Sequence, residues 1–145
     1  MKKGFTLIEL LVVIAIIGIL ASIVLVTFPG ATKKAKDARV ISAIGQARTV
    51  MTYVYANEGS YVGFDCTHSD MEKLCAEVQN NSYNNTALTI RTSTNEACMY
   101  APLNAKNGAT WYCVDSTGVG GETSTNPGGS GYCDGTTFVC PTVSG

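Results

Sequence analysis

The sequence has little of what most enzymes and metal proteins need. Of its 145 residues only one, His68, is histidine, and charged residues make up 14%. It contains no nucleophile motif and no glycine-rich phosphate loop, so little is present from which a catalytic site could be built. A formal net charge of −1 provides no global field that would attract nucleic acid. These absences favour a non-catalytic protein with no cofactor and no specific nucleic-acid partner.

Charge is missing altogether from one long segment. The nineteen residues from Leu10 to Phe28 include no charged side chain. As a helix rising about 1.5 Å per residue they would extend roughly 28 Å, close to the thickness of a bilayer core. The segment is too long for the apolar core of an ordinary secretory signal. Glu9 lies at its edge, where a carboxylate is costly, and this position predicts a functional contact for Glu9.

The charges outside that segment are unevenly distributed. In residues 31–48 five basic residues against one acidic residue leave a net charge of +4. From residue 58 onward three basic residues against nine acidic ones leave −6. A basic band just beyond an apolar helix is typical of a segment that meets anionic headgroups or an acidic surface of a neighbour.

Cysteine is present in an even number, and all of it lies beyond the apolar segment. The six residues are Cys66, Cys75, Cys98, Cys113, Cys133 and Cys140. This pattern predicts a disulfide framework in an oxidising compartment. Fifteen pairings are open, of which the local ones are favoured: Cys66–Cys75, Cys98–Cys113 and Cys133–Cys140. A zinc site is disfavoured because His68 is the only histidine and no CxxC spacing occurs.

The pattern of apolar residues predicts one long helix over residues 5 to about 57. Its first half is apolar all round, and its second half has one apolar stripe. The predicted stripe consists of Ala38, Ile41, Ile44, Ala47 or Arg48, Met51, and Val54 or Tyr55. Pro29 lies between the halves and predicts a break or kink in the helix. Gly59 is a plausible stop.

The remaining residues predict a small head of mixed structure. Ser69-Asp70-Met71-Glu72 has the pattern of a capping box opening a short helix to about Gln79. Strands are expected at 87–92, 97–102, 110–115 and 136–141, and residues 116–131 are expected to form a flexible loop. A four-residue loop over 104–107 would place Cys98 opposite Cys113. The predicted fold is α+β: a long N-terminal hydrophobic-then-amphipathic helix packed on a small disulfide-stapled antiparallel β-sheet head.

The first ten residues resemble a known signal. Lys2-Lys3-Gly4-Phe5-Thr6-Leu7-Ile8-Glu9-Leu10 is similar to the class III prepilin signal of type IV pilins and the related pseudopilins. The resemblance continues through GILAS at residues 18–22 to NEGSY at residues 57–61. It implies cleavage between Gly4 and Phe5, N-methylation of Phe5, and a role for Glu9 in assembly. Three segments are then expected: a leader (1–4), a transmembrane and assembly helix (5–57), and a globular head (58–145).

The resemblance also implies a function and partners. We expect a structural subunit of a bacterial type IV pilus-like filament that serves adhesion, motility or DNA uptake. Its expected partners are copies of itself in a helical homopolymer, a prepilin peptidase and methyltransferase, an assembly platform in the inner membrane, and membrane lipid before assembly. It is expected as a single-pass precursor in the cytoplasmic membrane and then in an extracellular pilus.

Other functions remain open beside the major pilin that this resemblance favours. One is a minor pilin or tip adhesin, and another is a pseudopilin of a type II secretion system. Pseudopilins often have a calcium loop, and Asp115, Glu122 and Asp134 flank the glycine-rich segment here. Their spacing fits no compact oxygen-ligand motif, so no metal is expected.

Overall fold

A computed structural model describes Met1 and residues 4–144. The predicted basic flank Lys2-Lys3 lies outside the described residues. The chain divides into two compact units, Met1–Thr32 and Lys33–Gly145. The helices are α1 (Leu7–Glu58), α2 (Glu72–Asn81) and a short 3₁₀ helix (Tyr83–Asn85), and the strands are β1 (Thr89–Thr92), β2 (Ala97–Pro102), β3 (Trp111–Asp115) and β4 (Gly120–Thr123). The α+β fold class predicted from the sequence is confirmed.

Helix α1 follows the prediction closely at both ends. It stops at Glu58 because Gly59 takes a positive φ of 67°, and the Gly59 N–H donates to the Tyr55 carbonyl at 2.8 Å. Pro29 does not interrupt α1, which is helical from Leu7 to Glu58, and the kink predicted there stays a prediction. A proline removes one N–H from the ladder, and in a helix of 52 residues the hydrogen bonds on either side keep the helical conformation.

The second half of α1 packs on the sheet through a stripe with helical spacing. The buried residues of this stripe are Asp37, Val40, Ala43, Ile44, Ala47, Met51 and Val54. The predicted member Ala38 is exposed instead, and of the alternatives Val54 and Tyr55 it is Val54 that is buried. The stripe therefore begins one residue earlier than predicted, and its first position holds a carboxylate.

The four strands form one antiparallel sheet in the order β1-β2-β3-β4. Cys98 lies opposite Asp115 and Tyr100 opposite Cys113, so the predicted register of β2 against β3 was wrong by two residues. The reason is the length of the connection. Leu103 and Thr110 still form a hydrogen bond at 2.8 Å, so the loop spans residues 104–109 instead of 104–107.

Gly108 explains why this longer loop forms. Its φ is 79°, and a Cβ at this position would collide with the ring of Tyr83. The preceding Asn107 also has a positive φ of 53°. Because two successive left-handed residues turn the chain here, the loop closes later than a simple four-residue hairpin would.

The two faces of the sheet are buried by different parts of the chain. Ala97, Met99 and Val114 belong to the core that includes the α1 stripe, Phe64, Met71 and Val78. On the opposite face Cys98 and Tyr100 pack with Cys133 and Phe138. The C-terminal segment, residues 124–144, thus covers the face of the sheet that α1 leaves free, and we call it the covering segment.

Two local predictions in the head were wrong. Helix α2 begins at Glu72, and its first turn has no side-chain cap, because the N–H groups of Met71 and Glu72 both donate to the His68 carbonyl. The predicted strand over 136–141 is absent from the described residues, and β4 lies in the segment expected to be a flexible loop. Ser144 instead forms a single bridge with Glu122 at the edge of β4.

The disulfides agree with only one of the three favoured pairs. Cys66 is bonded to Cys75, as the sequence favoured. The other two bonds are Cys98–Cys133 and Cys113–Cys140, so the local pairings Cys98–Cys113 and Cys133–Cys140 were wrong. The physical reason is the register: Cys98 and Cys113 share a face of the sheet but are not opposite each other, and each meets a cysteine of the covering segment.

Candidate functional site

Glu9, the carboxylate that the sequence singled out, lies in the first turn of α1, and Gly4 and Phe5 precede the helix. Thr6 precedes the first helical residue, Leu7. The Thr6 N–H and the Thr6 hydroxyl each donate to Glu9 Oε2 at 2.8 Å, and the Glu9 N–H donates to Thr6 Oγ1 at 3.3 Å. This reciprocal arrangement is a capping box. The Thr-x-x-Glu spacing of Thr6 and Glu9 indicates a capping box in the sequence, but none was predicted at this position.

The capping box determines the local state of the Glu9 carboxylate. Both bonds that this carboxylate accepts use Oε2. The carboxylate also lies at the N-terminal end of α1, where the helix dipole favours a negative charge. Glu9 is therefore ordered by its own chain while Oε1 is left for a donor from outside it.

The apolar half of α1 has no cover from the chain itself. Every residue from Gly4 to Lys36 is exposed, with Phe5 84% and Leu7 76% accessible. The best eighteen-residue window of α1 has a mean hydropathy of 3.1, so by length and composition this helix could cross a membrane. None of that window is buried, in contrast to the core helix of a soluble protein.

The hydroxyl groups in this half are satisfied within the helix. Ser22 Oγ donates to the Gly18 carbonyl at 2.8 Å, Thr27 Oγ1 to the Ile23 carbonyl at 3.2 Å, and Thr32 Oγ1 to the Phe28 carbonyl at 3.0 Å. Polar groups paired in this way can enter lipid or pack against another helix at little cost.

Asp37 is a functional candidate that our sequence analysis missed. It is only 6% exposed, and it fixes the β2–β3 loop to α1. Asp37 Oδ1 accepts from the Asn104 N–H at 2.6 Å and from Asn104 Nδ2 at 2.9 Å, and Oδ2 accepts from the Ala105 N–H at 2.8 Å. Asn104 Nδ2 also donates to the Asn81 carbonyl at the end of α2. The signal in the sequence was an acidic residue three positions before Val40, on the buried stripe.

Asp115 fixes the C-terminal segment in a similar way. Its side chain is buried, and Oδ2 accepts from the Cys140 N–H at 2.8 Å. Oδ1 accepts from the Thr117 N–H at 2.9 Å and the Thr117 hydroxyl at 2.6 Å. This carboxylate and the Cys113–Cys140 bond therefore hold the same segment against β3.

The open metal alternatives find no support in these positions. Cys66 is consumed in a disulfide, so its thiolate cannot join His68 in a zinc site. Over Met1 and residues 4–144 no three His, Cys, Asp or Glu side chains are grouped as ligands of one metal ion, so Asp115, Glu122 and Asp134 do not form such a group. Asp134 instead accepts bonds from Gly131, Thr136 and Thr137. These bonds, led by that from the Thr137 N–H, hold the pKa of Asp134 far below its usual range.

A comparison with known protein families finds a match, and it covers the first turn of α1. The family model described as "Prokaryotic N-terminal methylation motif" matches residues 1–25. That range includes Gly4, Phe5 and Glu9. No solved structure matches the chain significantly.

Several curated proteins are similar to part of the chain. A "Fimbrial protein" of Neisseria meningitidis serogroup B is 40% identical over 63 residues, which are 43% of this chain and 37% of that protein. "Fimbrial protein EcpB" of Eikenella corrodens is 47% identical over 58 residues, 40% of this chain and 36% of that protein. "Type IV major fimbrial protein FimA" of Dichelobacter nodosus is 47% identical over 51 residues, 35% and 33% of the two chains.

The chain thus spans little more than a third of the length of the curated relatives it matches. Its N-terminus matches the prokaryotic N-terminal methylation motif. The curated proteins that it resembles over this part are named as fimbrial proteins, and one of them is named as a type IV major fimbrial protein.

Proposed function

We propose that this chain is the structural subunit of a bacterial type IV pilus-like extracellular filament. The observation that supports this most strongly is the first half of α1: a fully exposed apolar helix whose first turn holds a capped carboxylate. Such a helix needs lipid before assembly and neighbouring helices afterwards. Relatives named as major fimbrial proteins favour a major subunit over a minor pilin, tip adhesin or pseudopilin.

The leader of residues 1–4 is proposed to be removed between Gly4 and Phe5, after which Phe5 is methylated. Gly4 has no neighbour within 4 Å of the place where a Cβ would stand. The chain's own packing therefore does not require glycine there, which supports a requirement imposed by the membrane peptidase. A larger residue at position 4 should leave uncut precursor in the membrane.

Glu9 is proposed to form an ion pair with the new α-ammonium group of Phe5 of a neighbouring copy. Methylation keeps the charge of that group, and pairing removes two costly charges from apolar surroundings together. An unpaired buried partner would cost about 3–5 kcal/mol, so the pair sets the register between copies. Copies that meet in this head-to-tail manner form an open helical filament when the rotation between them does not close.

The remaining parts of the proposal concern location and segments. The precursor is a single-pass protein of the cytoplasmic membrane that an assembly platform passes into an extracellular pilus. Residues 5–57 form the assembly helix and residues 58–145 the head. Adhesion, motility or DNA uptake would be properties of the filament.

Substitution of Glu9 tests the pairing directly. Glu9→Leu and Glu9→Gln are expected to be inserted and cleaved normally but to yield few or no extracellular filaments, because both lack the charge. Glu9→Gln keeps an oxygen that can accept from Thr6, so it separates the capping bond from the ion pair. Ser22→Ala, in the same helix, is the control and should assemble normally. Normal amounts of filament from both Glu9 variants would overturn the pairing.

A further inference from the structure

The unit that begins at Lys33 has one end rich in lysine. Lys33 Nζ donates to Asn107 Oδ1 at 2.7 Å, so the β2–β3 loop lies beside the beginning of this part of α1. The exposed lysines gathered there are Lys33, Lys34, Lys36 and Lys106. We call this group the basic end.

The opposite end of the same unit is rich in carboxylates. Helix α1 stops at Glu58, and the Tyr61 N–H donates to the Thr94 carbonyl at 3.2 Å, which brings the β1–β2 turn to this end. The exposed carboxylates there are Glu58, Asp65 and Glu96. We call this group the acidic end. At about 1.5 Å per residue, roughly 36 Å of helix separate Lys34 from Glu58.

No ion pair in the described part of the chain includes a residue of either end. The ion pairs among the described residues are Arg39–Glu77 at 3.7 Å and His68–Asp70 at 4.0 Å. Glu58 also lies in the last turn of α1, which has no basic residue and where the helix dipole disfavours a carboxylate. A cation supplied from outside would relieve this unfavourable position.

We propose that the basic end of one copy contacts the acidic end of another copy. The inference rests on the proposed filament and names a contact between the units that begin at Lys33. A second copy fits because each copy has one end of each sign, whereas an anionic lipid surface would satisfy the basic end alone. The contact joins different surfaces, so it can repeat without closing. It acts at short range, since salt at physiological strength screens exposed charges beyond about 8 Å.

Charge reversal at each end of the full chain tests the contact. The first variant is Lys34→Glu, Lys36→Glu and Lys106→Glu; the second is Glu58→Lys and Glu96→Lys. Each alone should lower the yield of extracellular filament about tenfold, because like charges then face each other. Co-expression of the two variants should restore most of the yield, because a copy with two acidic ends can alternate with a copy with two basic ends. Lys73→Glu, in α2, is the matched control and should leave the yield unchanged.

Several results would overturn the inference. One is a wild-type yield from either variant alone, and another is no recovery on co-expression of variants that retain their disulfides and melting temperature. A loss confined to the lysine variant, with reduced retention in the membrane, would assign the basic end to lipid and contradict the contact.

A photo-cross-linker at position 36 of the otherwise unchanged chain gives a second measurement that does not depend on reversal. It should join a peptide containing Glu58 or Glu96 of another copy, and cross-links only to lipid would overturn the inference. If wild-type cells shed filaments without that cross-link, the end-to-end contact fails and the proposed function stands. If wild-type cells shed no filaments, the proposed function fails, and the cross-link in the membrane still decides the contact.

Discussion

At the scale of single residues, three carboxylates act as acceptors for backbone amides. Glu9 accepts from Thr6, Asp37 from the β2–β3 loop, and Asp115 from Thr117, Val119 and Cys140. None of the three takes part in the ion pairs of the described residues. Each therefore fixes one piece of backbone in place, and removal of the carboxylate should destabilise that piece of backbone.

The cap at Thr6 gives a first prediction. Thr6→Val keeps the shape of the side chain but removes the hydroxyl that bonds Glu9, so the first turn of α1 should fray. Loss of such a cap costs about 1 kcal/mol, which should speed hydrogen exchange at the Glu9 amide roughly fivefold in detergent micelles. Thr6→Ser keeps the hydroxyl and should exchange like wild type. Equal exchange in all three proteins would contradict the capping box.

The buried carboxylate of Asp37 gives a second prediction, which concerns the stability of the fold. Asp37→Ala leaves the Asn104 amide groups and the Ala105 N–H without their acceptor, which should lower the free energy of unfolding by about 2–4 kcal/mol. Asp70→Ala, at an exposed position, should change it by less than about 0.5 kcal/mol. Urea unfolding of a secreted fragment that starts at Lys33 measures both. If the two variants unfold alike, the clamp on the loop contributes nothing.

A third prediction concerns pH and Asp134. The pKa of Asp134 in the folded protein lies below that of an unfolded aspartate, about 3.9. Its bonds therefore stabilise the head above that pH, and the stabilisation is lost as pH falls toward the lowered pKa. Asp134→Asn abolishes this titration, so its free energy of unfolding should fall less than that of wild type between about pH 5 and pH 2. Parallel curves for the two proteins in urea unfolding would exclude the contribution.

At the scale of elements, periodic segments could be predicted from the sequence and the covering segment could not. Helix α1 is set by a repeat of apolar residues that continues for many turns, so its ends were predicted within about two residues. The strands β2 and β3 were likewise predicted by local composition. Their register was not, because it depends on Asn107 and Gly108 and on the ring of Tyr83.

The C-terminal segment shows why the rest escaped prediction. Residues 124–144 have no regular alternation, since their conformation is held by Cys133, Cys140 and the buried carboxylate of Asp115. Those contacts join residues 25 to 35 positions apart, and no local pattern encodes them. Asp37 escaped for a related reason, because an acidic residue on a helix is usually exposed and the Asn104 N–H that donates to it lies 67 positions along the chain.

The disulfides give the prediction that belongs to this scale. The bonds Cys98–Cys133 and Cys113–Cys140 close loops of 35 and 27 residues, and Cys66–Cys75 closes one of 9. In the chain-entropy model, paired substitution by alanine should cost about 4 kcal/mol for each long loop and about 2.7 kcal/mol for the short one. Urea unfolding of the three paired variants measures which of them loses most free energy of unfolding. Peptide mapping should recover the three bonds, and a Cys98–Cys113 peptide would contradict the fold of the covering segment.

At the scale of the whole molecule, the two units are suited to different surroundings. The unit Met1–Thr32 buries nothing within the chain, and its exposed apolar residues require lipid or other copies. The unit that starts at Lys33 has its own core, three disulfides and a polar surface. A protein built in this way can remain in a membrane as a precursor and can leave it when other copies cover its apolar helix.

Intact-mass analysis of filaments sheared from cells that express the native chain tests whether this chain is a filament subunit processed at its N-terminus. We expect the main component to begin at Phe5, to have gained one methyl group and to contain no free thiol. Retention of Met1–Gly4 in extracellular filaments, or filaments from which this chain is absent, would contradict it.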